Sequence, residues 1–165
     1  MKEDLLRELG HLGVTARLKR LSDSISYSIR KLYEAKGFDI EPSWHLLFLM
    51  LEQKGTTTMT EIADAMQYSQ AAITKIIKKM VKKGYVELST DNEDQRRKLI
   101  QLTPQAKRKL PQFKAVWQAG QAVIAEMLDG DEAFLIGLTH FENQQEQIEF
   151  ADRVLLRLTQ KEDTI

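Results

Sequence analysis

The chain has 165 residues, 42% hydrophobic and 29% charged, with equal numbers of basic and acidic side chains and no cysteine. This is the composition of a soluble globular protein, and the missing cysteine excludes disulfides, cysteine-ligated zinc and thiol redox sensing. No apolar run approaches the roughly 18 residues of a membrane span, and MKEDLLRELG lacks a signal-peptide core, so a cytoplasmic protein without a membrane partner is expected.

A net charge of zero argues against nucleic-acid binding, but the distribution argues for it. Between Gln70 and Lys109 eleven Lys/Arg stand against four acids, a net of +7. Residues 1–69 carry −1 and residues 110–165 carry −6. A positive block beside an acidic tail predicts one localised phosphate-binding face.

From about Asp4 to Lys36, Leu5, Leu9, Leu12, Leu18, Leu21, Ile25, Ile29 and Leu32 trace one stripe on a long helix. Gly10 and Gly13 predict fraying or a bend in its first turns. So long an apolar face calls for a second subunit. Gly37 stops that helix, and Pro42 suits the first position of the next, which runs through SWHLLFLMLEQK to Gly55. Apolar nearly all round, it predicts a buried central helix.

Thr60 is the expected N-cap of a helix from Glu61 to about Gln67, with Ile62, Ala63 and Met66 facing inward. Ser69 caps the following helix, Gln70 to about Lys83, whose inner stripe is Ile73, Ile76, Ile77, Met80 and Val81. Its outer face presents Gln70, Ala71, Thr74, Lys75, Lys78, Lys79 and Lys82. Small polar residues lead and lysines follow, the layout of a recognition helix that reaches base edges first and phosphates further along.

Gly84 ends that helix. Residues 85–88 and 98–102 alternate as two strands around the polar DNEDQRR, which predicts a β-wing. Arg96 and Arg97, with Lys98 beside them, stand at its returning edge, where arginines suit a narrow minor groove. Asp91 and Asp94 would be repelled by phosphate and are expected to brace the wing by pairing with an arginine.

These residues are similar to those of the MarR family of bacterial transcriptional regulators. The wing carries D-x-x-D-x-R…L-T as Asp91, Asp94, Arg96, Leu102 and Thr103. T-E-I-A at 60–63, A-I-T-K at 72–75 and K-K-G-Y-V at 82–86 match as well. The motif-level match covers residues 60–103, and the order of elements fits from about Asp4 to Leu158. The resemblance implies a mainly α winged helix-turn-helix with a small β-wing: one domain over 1–165, with a DNA-binding lobe at 42–103 and dimerisation helices at 1–36 and 104–165. It also implies a homodimer on a pseudo-palindromic operator of double-stranded DNA, with Arg96 in the minor groove and Thr74 and Lys75 on the recognition surface. Leu88 and Lys75 depart from the family, which often has arginine at both places; lysine at 75 loses a bidentate contact.

The resemblance further implies a small-molecule effector, phenolic or lipophilic, in a pocket that Tyr27, Trp44, His45 and Phe48 would line. No cofactor or metal is expected, because His11, His45 and His140 lack ligand spacing and no nucleophile–base pair stands out. A repressor is the expected function. The alternative is a protein-interaction module built on the same scaffold without DNA binding.

After Thr103-Pro104 a helix runs to about Leu128, with a kink expected near Lys107–Pro111. Asp129-Gly130-Asp131 forms a capped turn, and a last helix is expected from Glu132 to about Gln160. Apolar stripes on both helices again point to a second copy of the chain.

Overall fold

Gly10 divides the N-terminal helical run in the computed structural model, which describes residues 4–91 and 94–162. Residues 1–3 and 163–165 of the expected dimerisation segments, and 92–93 of the expected wing tip, lie outside the described residues. The chain divides into two compact units, 1–113 and 114–165. Where the spacing predicts one long helix, the first unit has α1 (Leu5–Glu8), a 3₁₀ turn (Gly10–Gly13) and α2 (Val14–Ala35). Gly10 takes a φ of +52°, a conformation that side chains with a Cβ resist. Gly13 is buried under α1, where a Cβ would overlap the Leu6 carbonyl oxygen. Asp4 caps α1 through the Leu6 amide at 3.2 Å and receives both Arg20 guanidinium nitrogens, at 3.0 and 2.8 Å. The expected bend is thus a break with its own cross-link.

The next helix, α3 (Trp44–Lys54), begins two residues after Pro42. Pro42 occupies the preceding turn instead, closed by the Trp44 amide on the Glu41 carbonyl at 3.0 Å. Trp44, Leu47, Phe48 and Leu51 are buried, whereas Leu46 and Leu49 are exposed. The helix therefore buries one stripe, not its whole circumference.

The polar threonines after it form a strand that the sequence pattern does not announce, β1 (Thr56–Thr58). Thr58 also starts α4 (Met59–Met66) and takes the capping role expected of Thr60. Its hydroxyl accepts from the Glu61 amide at 3.2 Å while the Glu61 carboxylate accepts from the Thr58 amide at 3.0 Å. Two orphan donors are satisfied reciprocally, which a cap at 60 could not do with Ala63 three residues on. After α5 (Gln70–Lys82) come β2 (Val86–Thr90) and β3 (Lys98–Leu102). The sheet is antiparallel in the order β1-β3-β2, with Thr57 opposite Ile100 and Leu88 also opposite Ile100. The wing is therefore a three-stranded sheet rather than a bare hairpin, and β3 has no free edge.

The helix α6 (Pro104–Met127) starts from Thr103, whose Oγ1 accepts from the Ala106 amide at 3.1 Å and donates to the Gly84 carbonyl at 2.6 Å. It stays helical through Pro111, although proline offers no N–H to the Lys107 carbonyl. The core of the first unit joins α3, α4, α5, the sheet and the first turns of α6. Phe48, Tyr85 and Phe113 meet at ring separations of 5.5 to 5.9 Å, and Trp44 stands edge-on to Tyr85 at 6.1 Å. Burying each such ring contributes about 1.5–3 kcal/mol, so this cluster holds the lobe together.

In the second unit the predicted last helix is two: α7 (Ala133–Gln147) and α8 (Phe150–Glu162). Ile148 is extended, with φ −148° and ψ 124°. Arg153 holds the break, its Nε donating to the Ile148 carbonyl at 3.0 Å and its Nη2 to the Gln144 carbonyl. An apolar stripe that keeps helical spacing across the break hides it from periodicity. None of the described residues of this unit is buried, and Phe134, Leu135, Phe141, Phe150 and Leu155 are all exposed. No helix among the described residues is long and apolar enough to cross a membrane.

Candidate nucleic-acid interface

Two capped helices and a tight turn aim the basic face. Gln67 turns the chain with φ +52°, and its own side-chain amide donates to the Asp64 carbonyl at 3.0 Å, which helps hold a conformation rare outside glycine. Ser69 then caps α5 by accepting from the Ala72 amide at 3.2 Å. Ile73, Ile77 and Met80 are buried and Ile76 is half-buried, while Val81, expected on the inner stripe, is exposed. Gly84, at φ +72°, closes α5 in a Schellman motif: its amide donates to Val81 and the Tyr85 amide to Met80, both at 2.9 Å. The helix is fixed at both ends.

On its outer face the predicted residues differ in availability. Ala71, Lys75 and Lys78 are exposed, and neither lysine has an ion pair among the described residues. Gln70 donates to the Thr60 hydroxyl at 3.4 Å, and the Thr74 hydroxyl donates to the Gln70 carbonyl at 2.7 Å, so Thr74 is half-buried with its proton engaged. Lys79 is paired, its ammonium 2.8 Å from the Glu41 carboxylate.

The two wing arginines separate in the same way. Arg97 lies 3.7 Å from Glu61 and 3.8 Å from Asp91, so it closes the loop end of the wing strands. Asp94 braces differently from the expectation: its carboxylate accepts from the Arg96 backbone amide at 2.9 Å, not from a guanidinium. Arg96 is exposed and its side chain has no ion pair among the described residues. Lys98 donates to the Thr90 hydroxyl at 2.8 Å across the two strands.

Glu61 links the capping box to the wing, whereas the sequence pattern places it only as a favourable charge at a helix start. The Thr57 hydroxyl at 2.7 Å, then the Thr58 amide, hold its carboxyl below the ordinary 4.5, and Arg97 adds to the effect. The Thr58-x-x-Glu61 spacing was the available signal. A second cluster escapes sequence reasoning altogether. The buried Tyr85 hydroxyl donates to Asp39, Lys109 donates to Tyr85 at 3.1 Å, and Lys83 and Lys109 each lie 3.7 Å from Asp39. Burial pushes the Asp39 carboxyl up, but the Tyr85 hydrogen bond and the two ammonium groups hold it below its ordinary value. Burial, with the Asp39 carboxylate, raises the Tyr85 phenol well above 10.0, so it stays a donor.

The four residues expected to line a ligand pocket have unlike surroundings. Trp44 and Phe48 are fully buried in the aromatic core. Tyr27 is 56% exposed, with the Lys31 ammonium 4.6 Å over its ring. His45 is half-buried, its Nδ1 2.7 Å from the Pro42 carbonyl oxygen. Among the described residues no group of three or more His, Asp or Glu is placed to hold a metal ion.

The MarR family model matches residues 38–97, the span from the loop before α3 to the returning edge of the wing. The chain is 43% identical over 63 residues to the transcriptional regulator AdcR of Streptococcus pneumoniae, a stretch covering 38% of this chain and 42% of that protein. The matched stretch thus spans about two fifths of the length of this curated relative. Among solved structures, the MepR–DNA complex of S. aureus superimposes with a TM-score of 0.70 at 19% identity, covering 79% of this chain and 96% of that one. Overoxidized AbfR bound to DNA does so with 0.64 at 21%, covering 90% and 100%. At such identities the structures share the fold, a winged helix-turn-helix.

Proposed function

From the match of the MarR family model to residues 38–97, we propose a MarR-family, sequence-specific DNA-binding transcriptional regulator acting in the cytoplasm. The observation that carries the reading is the division of labour on α5. Ile73, Ile77 and Met80 are buried while Lys75 and Lys78 stand exposed on the other side, without an ion pair among the described residues, inside the +7 block. Cations left without acidic partners at one turn's spacing suit a row of phosphates. The capped N-terminus of α5, with Gln70, Ala71 and Thr74, is the end that meets base edges. Arg96 supplies a cation from the wing for an adjacent minor groove.

In the same reading the protein is a homodimer and a repressor. The support is the second unit, whose helices expose apolar side chains that a second copy would cover, as the face of α2 does at Leu21 and Leu32. Two recognition helices then read half-sites about 34 Å apart on a pseudo-palindromic operator. A small phenolic or lipophilic ligand releases the operator by differential affinity for one state. Tyr27 and His45 are the two predicted pocket residues whose side chains are not fully buried.

Selection of bound sequences from random duplexes, with heparin as competitor, tests this. The expected result is a pseudo-palindrome with two half-sites one helical turn apart, bound less tightly as salt rises because counterions are released. Absence of any enriched sequence would overturn the regulator reading and leave a protein-interaction scaffold. Titration of the bound complex with phenolic compounds tests ligand release: unchanged operator affinity with all of them would remove that part.

A further inference from the structure

The loop between α2 and α3 carries two acids, and both face α5. Within residues 39–41 the exposure alternates: Ile40 is buried at 5%, while Asp39 is exposed and Glu41 half-buried. Ile40 thus anchors the segment and turns its two neighbours outward. Glu41 holds Lys79 at 2.8 Å and Asp39 holds Lys83 at 3.7 Å. Acids two residues apart in the loop thus reach two cations four residues apart, which a helix separates by about 6 Å of rise. Asp39 is itself held from behind by the Tyr85 hydroxyl and the Lys109 ammonium, so its position belongs to the strand start and the first turns of α6.

We propose that Asp39 and Glu41 form a two-point positioning clamp on the C-terminal half of α5. In it Lys79 and the cap residue Lys83 aim the recognition helix, and the outer-face lysines that have no carboxylate partner among the described residues, Lys75, Lys78 and Lys82, neutralise phosphate. The inference rests on the DNA-binding reading for its purpose, though the clamp itself rests on geometry. It goes against the simplest view of a lysine row, in which every cation on the exposed face meets DNA. A carboxylate already on Lys79 makes that residue part of the protein's own structure, and the neighbouring pair makes the contact geometric rather than incidental. An isolated exposed pair contributes little stability. Its consequence here is directional, because a small tilt of α5 moves its N-terminal end across the bases.

Two measurements on the full chain test the clamp. The first is the salt dependence of binding to a selected duplex for wild type, Lys75→Ala, Lys79→Ala, Glu41→Gln and the Lys79→Ala/Glu41→Gln double variant. Loss of one phosphate contact makes the log–log slope shallower by about 0.9, hence by about 1.8 when both subunits of the proposed homodimer carry the substitution. The clamp predicts that loss for Lys75→Ala only. Lys79→Ala and Glu41→Gln should each weaken binding by about two- to fivefold at unchanged slope, and the double variant no more than either single one. A shallower slope in Lys79→Ala, or tighter binding by Glu41→Gln, would overturn it and make Glu41 a competitor of phosphate. The second measurement is amide hydrogen exchange without DNA, in which Asp39→Asn and Glu41→Gln should speed exchange at residues 77–85. Unchanged exchange there also overturns the clamp. If wild type binds no duplex, the regulator reading fails, and hydrogen exchange alone then decides the clamp.

Discussion

Arg97 and Glu61 join the wing to the first helix of the helix-turn-helix, Nη2 lying 3.7 Å from Oε1. Through Glu61 the wing is tied to the capping box on Thr58, and through Asp91 the same guanidinium ties down the outgoing strand. Arg96, one residue earlier, is left exposed beside a fixed neighbour.

The two arginines should therefore fail differently. Arg96→Ala is expected to weaken operator binding by about 1–3 kcal/mol, with loss of preference for A·T-rich flanks and an unchanged melting temperature. Arg97→Ala is expected to lower the melting temperature and to raise hydrogen exchange in residues 86–91. Equilibrium binding on duplexes with A·T or G·C flanks, together with melting curves, checks both. Equal behaviour of the two variants would remove the distinction between contact and brace.

Glu61 gives the lobe a pH dependence of known sign. Its carboxyl is held below 4.5 in the folded chain. Its contribution is fully present above that ordinary value and is lost as the pH falls through the lowered folded value. Thermal melts from pH 7 down to pH 3 should show wild type losing more stability than Glu61→Gln, the curves converging at the acid end. Parallel curves would show that the capping box draws nothing from the charge.

Gly13→Ala should damage the N-terminal hairpin, because the new Cβ would overlap the Leu6 carbonyl oxygen, which is backbone and cannot rotate away. The cost expected for such overpacking is about 1–3 kcal/mol. Limited trypsin digestion is the measurement: cleavage at Arg7, Arg17 and Arg20 should accelerate in the variant. Gly10→Ala tests a different cause, the φ of +52°, with open space around the missing side chain.

Arg153→Ala should loosen the junction between α7 and α8, since it removes the donors to the Ile148 and Gln144 carbonyls. Each hydrogen bond lost costs about 0.5–1.5 kcal/mol. Faster amide exchange around residues 148–153 is the expected sign. Exchange as slow as in wild type would place the cause of the break elsewhere.

Local signals made most of the lobe legible in the sequence. The capped starts at Ser69 and Thr103 and the stops at Gly37 and Gly84 depend on a few adjacent residues, and so does the two-strand wing. These chemical preferences act within a turn of helix or a pair of residues. The mainly α winged helix-turn-helix fold followed from their order. Misplaced elements share one cause. The cap at Thr58 instead of Thr60 was signalled in the sequence only by the Thr58-x-x-Glu61 spacing, through which Glu61 turns back on Thr58. The strand at Thr56–Thr58 is too short for any period and exists because β3 offers it an edge. The break at Ile148 lies within an unbroken apolar stripe.

The sequence alone determined that the positive charge is concentrated between Gln70 and Lys109, that α5 is amphipathic, and that a basic wing follows it. It could not assign those cations to their work. Lys75, Lys78, Lys79 and Lys82 are indistinguishable as members of a helical row, and so are Arg96 and Arg97 as neighbours. Only the tertiary structure brought Glu41 to Lys79, Asp39 to Lys83 and Glu61 to Arg97. Ion pairs between residues as far apart in sequence as these depend on how the chain closes on itself, and no spacing rule along the chain contains that information. The charge census marked the candidate interface, and the fold decided which of its cations are already held by carboxylates.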